Sequence, residues 1–154
     1  LGLSFSQMAN PDWFETDPKL AWAFYGHRLH LYRDTKPHCG FSMLLKLAHE
    51  KNNNYFIFTS NVDGQFQKAG FDSNKILECH GSIHYLQCVD DCKHSIWENK
   101  ENIPINSNTF QAKYLPKCKY CDSMARPNIL MFGDWGWNSN RESQQDKRYK
   151  SFLA

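Results

Sequence analysis

The chain has 154 residues, 41% of them hydrophobic and 22% charged, an ordinary composition for a globular protein that excludes a chain disordered throughout. The net charge of +2 is too small to indicate nucleic acid or an anionic membrane as a partner. The apolar runs are too short to cross a bilayer and no secretory leader is recognisable, so the cytoplasm is the expected compartment. The first residue is Leu1 rather than Met, which is typical of a fragment or a processed chain.

Two helices are predicted in the first third of the chain. Asp17 and Pro18 form a typical helix start, with Asp as the N-cap and Pro at the first helical position, and this helix extends to about Arg33. After a break at Pro37, apolar residues recur at the i, i+3, i+4 and i+7 spacing of an amphipathic helix, namely Phe41, Leu44, Leu45 and Ala48.

Two short strands follow, with a short helix between them. The apolar run 55–59 predicts a strand buried on both faces, residues 65–69 a helix that Gly70 ends, and residues 76–79 a second strand. This order of elements predicts an α/β fold with parallel strands. The polar loops 60–64 and 80–82 leave the ends of these strands, where such sheets bind ligands, and we expect them to converge on one site.

The stretch from about residue 87 to 123 contains two close pairs of cysteines. Cys88-x3-Cys92 and Cys118-x2-Cys121 each form a knuckle that turns two thiolates toward one ion. Together they predict a structural zinc site with a closed four-sulfur shell, in a zinc-ribbon module too small for a core of its own.

One histidine and two further cysteines are weaker candidates for metal binding. His94 is a possible substitute ligand, although four sulfurs make it unnecessary. Cys39 and Cys79 have no close partner and are predicted to be small core residues.

The last part of the chain returns to regular secondary structure. Residues 129–132 predict a further strand of the sheet, and the polar stretch 138–150 is predicted to be helical in part.

Five motifs occur in a characteristic order. They are the loop Thr59-Ser60-Asn61-Val62-Asp63-Gly64, the helix end Gln67-Lys68-Ala69-Gly70, the strand end Leu77-Glu78-Cys79-His80-Gly81-Ser82, the two cysteine pairs, and Arg126-Pro127-Asn128-Ile129-Leu130-Met131-Phe132-Gly133-Asp134. In these motifs the chain resembles the sirtuins, a family of NAD-dependent protein deacylases, over roughly residues 10 to 137.

The resemblance implies the fold and its division into domains. It implies an incomplete Rossmann-like parallel sheet with helices, plus the small zinc-ribbon module. Residues 1–86 and 124–154 would form the NAD-binding and catalytic domain, with a helical insert at about 10–35, and residues 87–123 the zinc-binding module.

The resemblance also implies roles in binding NAD. His80 would be the general base that draws a proton from a ribose hydroxyl, a task suited to a side chain that titrates near neutral pH. Asn61 would position the ribose and the attacking water, and Asp63 would bind the carboxamide of nicotinamide. Ser60 and Val62 complete the cofactor-binding loop.

A second set of residues is implied for the acyl-lysine substrate. Phe132, Gly133 and Asp134 would line a groove in which an acyl-lysine protein or peptide adds as an extended strand. The implied reaction transfers the acyl group from lysine to ADP-ribose and releases nicotinamide, while the zinc stays remote from it.

The sequence departs from the sirtuin pattern in two ways. Ser60 stands where the family usually has Gln, which would weaken a ribose contact. The family's N-terminal Gly-Ala-Gly motif and its C-terminal strands have no counterpart in these 154 residues, so the chain resembles a central fragment. Because a glycine-rich turn lets backbone N–H groups approach the pyrophosphate, we expect the isolated chain to bind NAD weakly and to turn over poorly.

Two other functions stay open. A sirtuin-like NAD glycohydrolase or ADP-ribosyltransferase would use the same activation of the ribose, and Ser60 keeps that alternative open. A zinc-ribbon binding module without enzymatic activity is the other; Lys113, Lys117 and Lys119 would favour nucleic acid, but nearby acidic residues offset them.

Overall fold

The computed structural model describes residues 2, 4–93 and 95–154, so the prediction for His94 lies outside the described residues. The helices are α1 (Phe5–Met8), α2 (Trp13–Thr16), α3 (Pro18–Asp34), α4 (Cys39–Glu50), α5 (Gln65–Lys68) and α6 (Asn140–Leu153), with a 3-10 turn at Ser73–Lys75. The strands are β1 (Ile57–Thr59), β2 (Ile76–Glu78), β3 (Gly81–Cys88), β4 (Ile96–Glu98), β5 (Ile105–Asn106), β6 (Gln111–Ala112) and β7 (Ala125–Ile129).

Helix α3 confirms the first predicted helix and runs through the hydrophobic core. The Asp17 carboxylate accepts a hydrogen bond from the Leu20 N–H at 3.1 Å, which caps the helix as the sequence predicts. Trp22 and Leu29 are almost fully buried, and the Trp22 indole N–H donates to the Ala125 carbonyl at 2.9 Å. The helix is thereby fixed to β7, which lies more than a hundred residues further along the chain.

Helix α4 confirms the second predicted helix, but much of its apolar side is uncovered. Ala48 is buried and the Phe41 ring contacts the Phe66 ring, whereas the apolar side chains Met43, Leu44 and Leu47 are each at least half exposed. Periodicity marks the apolar side of a helix without saying how much of it a neighbour covers. Cys39, at the first position of α4, is exposed, so the prediction that it is a core residue is wrong.

Strands β1 and β2 confirm the predicted parallel pair. Ile57 lies opposite Ile76 and Thr59 opposite Glu78. Strand β2 is buried, but Phe58 in β1 is 59% exposed, so the prediction that β1 is buried on both faces is wrong. Among the described residues β1 pairs with β2 alone, so part of its apolar surface stays exposed.

A second, antiparallel sheet has the strand order β4-β3-β7. Here the prediction of a strand at 129–132 is wrong, because the strand is Ala125–Ile129, antiparallel to β3 and separate from the parallel pair. Gly81 causes the difference. Its φ of +76° turns the chain out of β2 straight into β3, and a Cβ there would lie 2.1 Å from the Asn128 carbonyl oxygen, so only glycine allows β7 this close.

Helix α6 confirms that the polar tail is helical and anchors it to β2. The Gln145 side chain accepts a hydrogen bond from the Glu78 N–H at 3.0 Å, and Arg141 forms an ion pair of 2.5 Å with the buried Glu78 carboxylate. A buried carboxylate without its cation would be costly, so α6 is strongly tied to this strand. These contacts with α6 fix the end of β2, two residues before His80.

The hydrophobic core is continuous across the predicted domain boundary. Residues 99–108, within the predicted zinc-binding module, include Ile103, which is 1% exposed, and the start of the hairpin formed by β5 and β6. Ile103 packs against Gly26 of α3 and belongs to the same core cluster as Ile83 and Leu86 of β3. The division at residues 87 and 123 stays a prediction.

None of the helices in the described part of the chain is both long and apolar enough to cross a membrane.

Candidate active site and metal centre

The two loops predicted to converge do line one cavity, of about 390 Å³. Ser60, Asn61, Val62 and Asp63, called here the Asn-Asp loop, form part of its wall, and His80 forms another part. The rest of the wall is mostly apolar or aromatic and comes from α1, α3, β3 and the end of β7, namely Phe5, Ala9, Tyr25, Arg28, Tyr32, Ile83, Ile129, Leu130, Met131 and Phe132. The cavity is therefore an apolar cleft with a few polar groups, as small-molecule sites usually are.

Backbone hydrogen bonds bring the two loops together. The Cys79 N–H donates to the Thr59 carbonyl at 3.0 Å, which continues the parallel pairing up to the residue before His80. The Ile83 N–H donates to the Val62 carbonyl, and the Leu130 N–H donates to the His80 carbonyl, both at 3.0 Å. Each loop is thus attached to β3 or to the end of β7, so these loops and strands form one hydrogen-bonded part of the cavity wall.

Within the Asn-Asp loop, one residue has both a structural and a ligand-facing position. One oxygen of the Asp63 carboxylate accepts from the Gln65 N–H at 3.0 Å, which stabilises the turn into α5, while the residue also lines the cavity. Asn61 is exposed, and its N–H donates to the Thr59 hydroxyl at 3.1 Å. The loop is held by local hydrogen bonds and still presents polar side chains to a ligand.

His80 is exposed on the cavity side of the loop that follows β2. Its backbone is fixed by the bond from Leu130, but its imidazole remains accessible to a bound molecule. An imidazole in this position can accept a proton from a hydroxyl group that lies within hydrogen-bond reach.

Tyr25 and Arg28 of α3 were not identified as site residues from the sequence. The Tyr25 hydroxyl and the Arg28 Nε are buried and find no hydrogen-bond partner among the described residues, although both side chains line the cavity. The Arg28 guanidinium lies 4.5 Å from the Phe24 ring centroid and 4.7 Å from that of Phe5. Burial raises the pKa of Tyr25 well above its usual value, so its hydroxyl stays a donor. Unsatisfied buried donors in a cavity wall are suited to an oxygen of a ligand.

The spacing of Tyr25 and Arg28 could have signalled this shared wall. The two residues are three positions apart on a predicted helix and therefore lie on one face of it. The sequence shows the common face, but not that the cavity lies against it.

The three residues predicted to line a substrate groove are separated by the structure. Phe132 is 57% exposed and lines the cavity. Gly133 and Asp134 instead line a different depression, next to Arg126 and the exposed Trp135. The Asp134 side chain is buried in an ion pair with Arg126 and also accepts from the Met131 N–H at 3.3 Å, so its carboxylate shapes the turn after β7.

The four predicted zinc ligands lie together. The sulfur atoms of Cys88, Cys92, Cys118 and Cys121 are all within 4.8 Å of one another, and the pairs Cys88–Cys121 and Cys92–Cys118 are 3.5 and 3.6 Å apart. A tetrahedral zinc site with Zn–S bonds of about 2.3 Å places its sulfurs about 3.8 Å apart, so the cluster fits this ion closely.

The four thiols of the knuckles differ in acidity. Hydrogen bonds from Ser123 lower the pKa of Cys121 to about 6, which favours the thiolate form that binds metals, whereas the hydrogen bond with Cys121 raises the pKa of Cys92 and burial raises that of Cys88. The Tyr120 N–H points at the Cys118 sulfur at 3.5 Å. All six cysteines are free thiols, so no disulfide competes for the four ligands.

Comparisons with known proteins agree with this geometry. The model of the Sir2 family matches residues 3–149. The NAD-dependent protein deacylase of Aquifex aeolicus (strain VF5) is 33% identical over 128 residues, which are 83% of this chain and 48% of that protein.

Two solved structures show the same fold. A Sir2 homologue in complex with NAD superposes with a TM-score of 0.70 at 25% identity, covering 84% of this chain and 46% of that one. Sir2 bound to an acetylated peptide gives a TM-score of 0.63 at 26% identity, covering 82% and 50%. The chain spans about half the length of the curated relatives that it matches. It has their α/β fold and the four clustered cysteines of a zinc module, and it belongs to the Sir2 family.

Proposed function

We propose that the protein carrying this chain is an NAD-dependent protein-lysine deacylase, which transfers the acyl group of an acyl-lysine to ADP-ribose and releases nicotinamide. The observation that carries the proposal is the shared cavity, since the Asn-Asp loop and His80 face one space from two different strands. A relative 33% identical to this chain is named an NAD-dependent protein deacylase, which supports the assignment.

The cavity fits one part of a dinucleotide. Ligand pockets are usually about 300–1,000 Å³, so a cavity of about 390 Å³ is suited to a nicotinamide-ribose portion rather than to the whole of NAD. Bound NAD would supply a ribose carbon whose bond to a cationic leaving group is easily broken. The mostly apolar wall would exclude water from that carbon.

Each polar residue of the cavity then has a proposed task. His80 takes a proton from a ribose hydroxyl, because its imidazole is exposed to the cavity on a fixed backbone. Asn61 positions the ribose and the attacking water, and the second oxygen of the Asp63 carboxylate binds the carboxamide. Ser60 and Val62 bind the cofactor as the remainder of the loop.

The proposed partner is an acyl-lysine protein or peptide. Of the three residues predicted to line the substrate groove, Phe132 is the one that lines the cavity, so it is best placed to contact the acyl-lysine. Gly133 and Asp134 would act on the peptide beyond the cavity, with Asp134 shaping the turn through Arg126. The solved complex of a Sir2 protein with an acetylated peptide supports this class of partner.

Zinc is proposed as a structural ion held by Cys88, Cys92, Cys118 and Cys121. Four sulfurs close its coordination shell and leave no open position for a substrate. The two-part division into an NAD-binding domain and a zinc module at 87–123 is part of the same proposal. The cytoplasm is the proposed compartment, because free thiols in metal-binding pairs are typical of a reducing environment.

The test is nicotinamide release by the protein that carries this chain, measured with NAD alone and with NAD plus an acetyl-lysine peptide. Release that requires the peptide and matches the amount of deacetylated product supports the deacylase. If nicotinamide is released equally without peptide, the deacylase proposal fails.

Equal release of nicotinamide with and without peptide is the result expected of an NAD glycohydrolase. Ser60 is the observation that keeps this alternative, since it lines the cavity with a side chain shorter than the glutamine usual in the family. A shorter side chain leaves room for water next to the ribose. Transfer of label from NAD to protein, without loss of an acyl group, would instead identify an ADP-ribosyltransferase.

A further inference from the structure

His84, the fourth residue of β3, contacts the Asn-Asp loop from behind. It does not line the cavity itself, and nothing in the sequence distinguishes it from the other histidines. Its ring nitrogen Nε2 lies 2.9 Å from the Asp63 carbonyl oxygen. A carbonyl oxygen can only accept a hydrogen bond, so Nε2 carries the proton and donates it.

The contact belongs to a two-point attachment of the loop. The Ile83 N–H donates to the Val62 carbonyl, and the next side chain, His84, donates to the next carbonyl, that of Asp63. Consecutive carbonyls of the loop are thus held by consecutive residues of β3. The Asn61 and Asp63 side chains extend from the backbone that these bonds hold.

Close packing around the ring restricts its position. Gly64 has φ +68°, and a Cβ there would lie 2.8 Å from His84 Cδ2. His84 is half-buried, and it also lines a separate depression together with Arg33, Glu98, Asn99 and Lys100. Burial lowers the pKa of His84, and the hydrogen bond to the Asp63 carbonyl opposes this only in part, so the net direction favours the neutral ring.

We propose that His84 is a positioning residue for the Asn-Asp loop, donating its Nε2–H to the Asp63 carbonyl so that Asn61 and Asp63 face the cavity. The residue acts through the loop and touches no ligand. The effect on NAD binding rests on the proposed function, whereas the effect on the loop does not.

The experiment compares two variants in the protein that carries this chain. His84→Leu keeps about the same side-chain volume but removes the donor, and His84→Gln replaces Nε2–H with an amide N–H at a similar reach. His30→Leu is the matched control, because His30 is also half-buried but lies on α3.

Loss of one hydrogen bond that orders the loop should raise the KM for NAD about tenfold in His84→Leu, with a much smaller change in kcat. His84→Gln should restore most of this loss, and His30→Leu should leave the KM unchanged. Equal KM values in all three variants, or a rise in His84→Gln as large as in His84→Leu, would overturn the proposal.

Measurements without NAD separate the two proposals. Nitrogen NMR of the His84 ring should show the proton on Nε2. Amide hydrogen exchange at Asn61 and Gln65 should be faster in His84→Leu than in His84→Gln, because both amides donate to bonds within the held segment. Unchanged exchange in His84→Leu, or a proton on Nδ1, would contradict the positioning role even in an active enzyme. A wild-type protein that releases no nicotinamide would instead overturn only the deacylase proposal.

Discussion

The metal centre and the cavity are built in opposite ways. The four cysteines proposed as zinc ligands come from two knuckles, each of which folds over a few residues, and together their sulfurs would complete a tetrahedral shell. The cavity is assembled from helices, strand ends and loops far apart in the chain, and it leaves the Tyr25 hydroxyl and the Arg28 Nε without a partner among the described residues. One region uses its polar atoms for stability, and the other keeps some of them available for a ligand.

The largest effect is expected at the metal centre. In small zinc modules the ion contributes about 10 kcal/mol or more to folding, so loss of one ligand in Cys118→Ser should abolish tight zinc binding and unfold the module. Zinc content and the thermal unfolding curve measure this. Cys39→Ser, at an exposed cysteine outside the cluster, is the control and should behave as wild type. A Cys118→Ser protein that keeps its zinc and its stability would contradict the four-sulfur site.

At the cavity, a large change in activity should come without a change in fold. His80→Ala should lower kcat about 10²–10⁴-fold, the usual contribution of a general base, while the thermal midpoint stays the same because His80 is exposed. Nicotinamide release with an acetyl-lysine peptide measures the rate. His49→Ala, at an exposed histidine of α4, serves as the control. A His80→Ala enzyme of normal activity would remove the proposed base.

The close approach of β7 to Gly81 supports the cavity wall. Its contribution to the free energy of unfolding can be measured with a substitution at Gly81. Gly81→Ala combines a positive φ with a Cβ 2.1 Å from the Asn128 carbonyl, and should reduce the free energy of unfolding by about 3 kcal/mol or more. Gly133→Ala has a similar φ of +69° but no atom near its Cβ, so it should cost only about 1 kcal/mol. Denaturant unfolding of both variants measures the difference. Equal losses of unfolding free energy in the two variants would show that the positive φ alone, and not the contact with Asn128, requires glycine at position 81.

The smallest effect concerns the unsatisfied hydroxyl of Tyr25. Tyr25→Phe removes a buried group that has no partner and should raise stability by about 1 kcal/mol, while it weakens ligand binding. Tyr114→Phe removes a hydroxyl that donates to the Asn102 carbonyl at 2.9 Å, so no gain is expected there. Unfolding midpoints and NAD affinity measure the two effects. A Tyr25→Phe protein that is both less stable and unaltered in binding would contradict the contrast between the two regions.

The sequence predicted those features that depend on local spacing. The spacing of the cysteine pairs predicted that the four sulfurs cluster because a knuckle is a local structure, and the cap at Asp17 marks the start of α3 for the same reason. The parallel pairing of β1 with β2, and the facing of their two loops, followed from the order of elements.

The remaining features depend on which distant elements meet. An apolar run at Phe58 shows a preference for burial, but the cover must come from another segment, and the described residues leave this side chain exposed. The position of β7 depends on the steric fit of Gly81 against Asn128, which no periodicity reveals. The positions of Tyr25 and Arg28 in the cavity wall, and the contact of His84 with the Asp63 carbonyl, likewise depend on which distant elements meet.

The central claim is that the Asn-Asp loop and His80 bind one ligand in one cavity. An NMR titration of the labelled protein with NAD tests it most directly. The account predicts that signals of Asn61, Asp63 and His80 shift together and saturate with a single dissociation constant. Shifts confined to one of the two loops, or saturation of the two loops at different NAD concentrations, would contradict it.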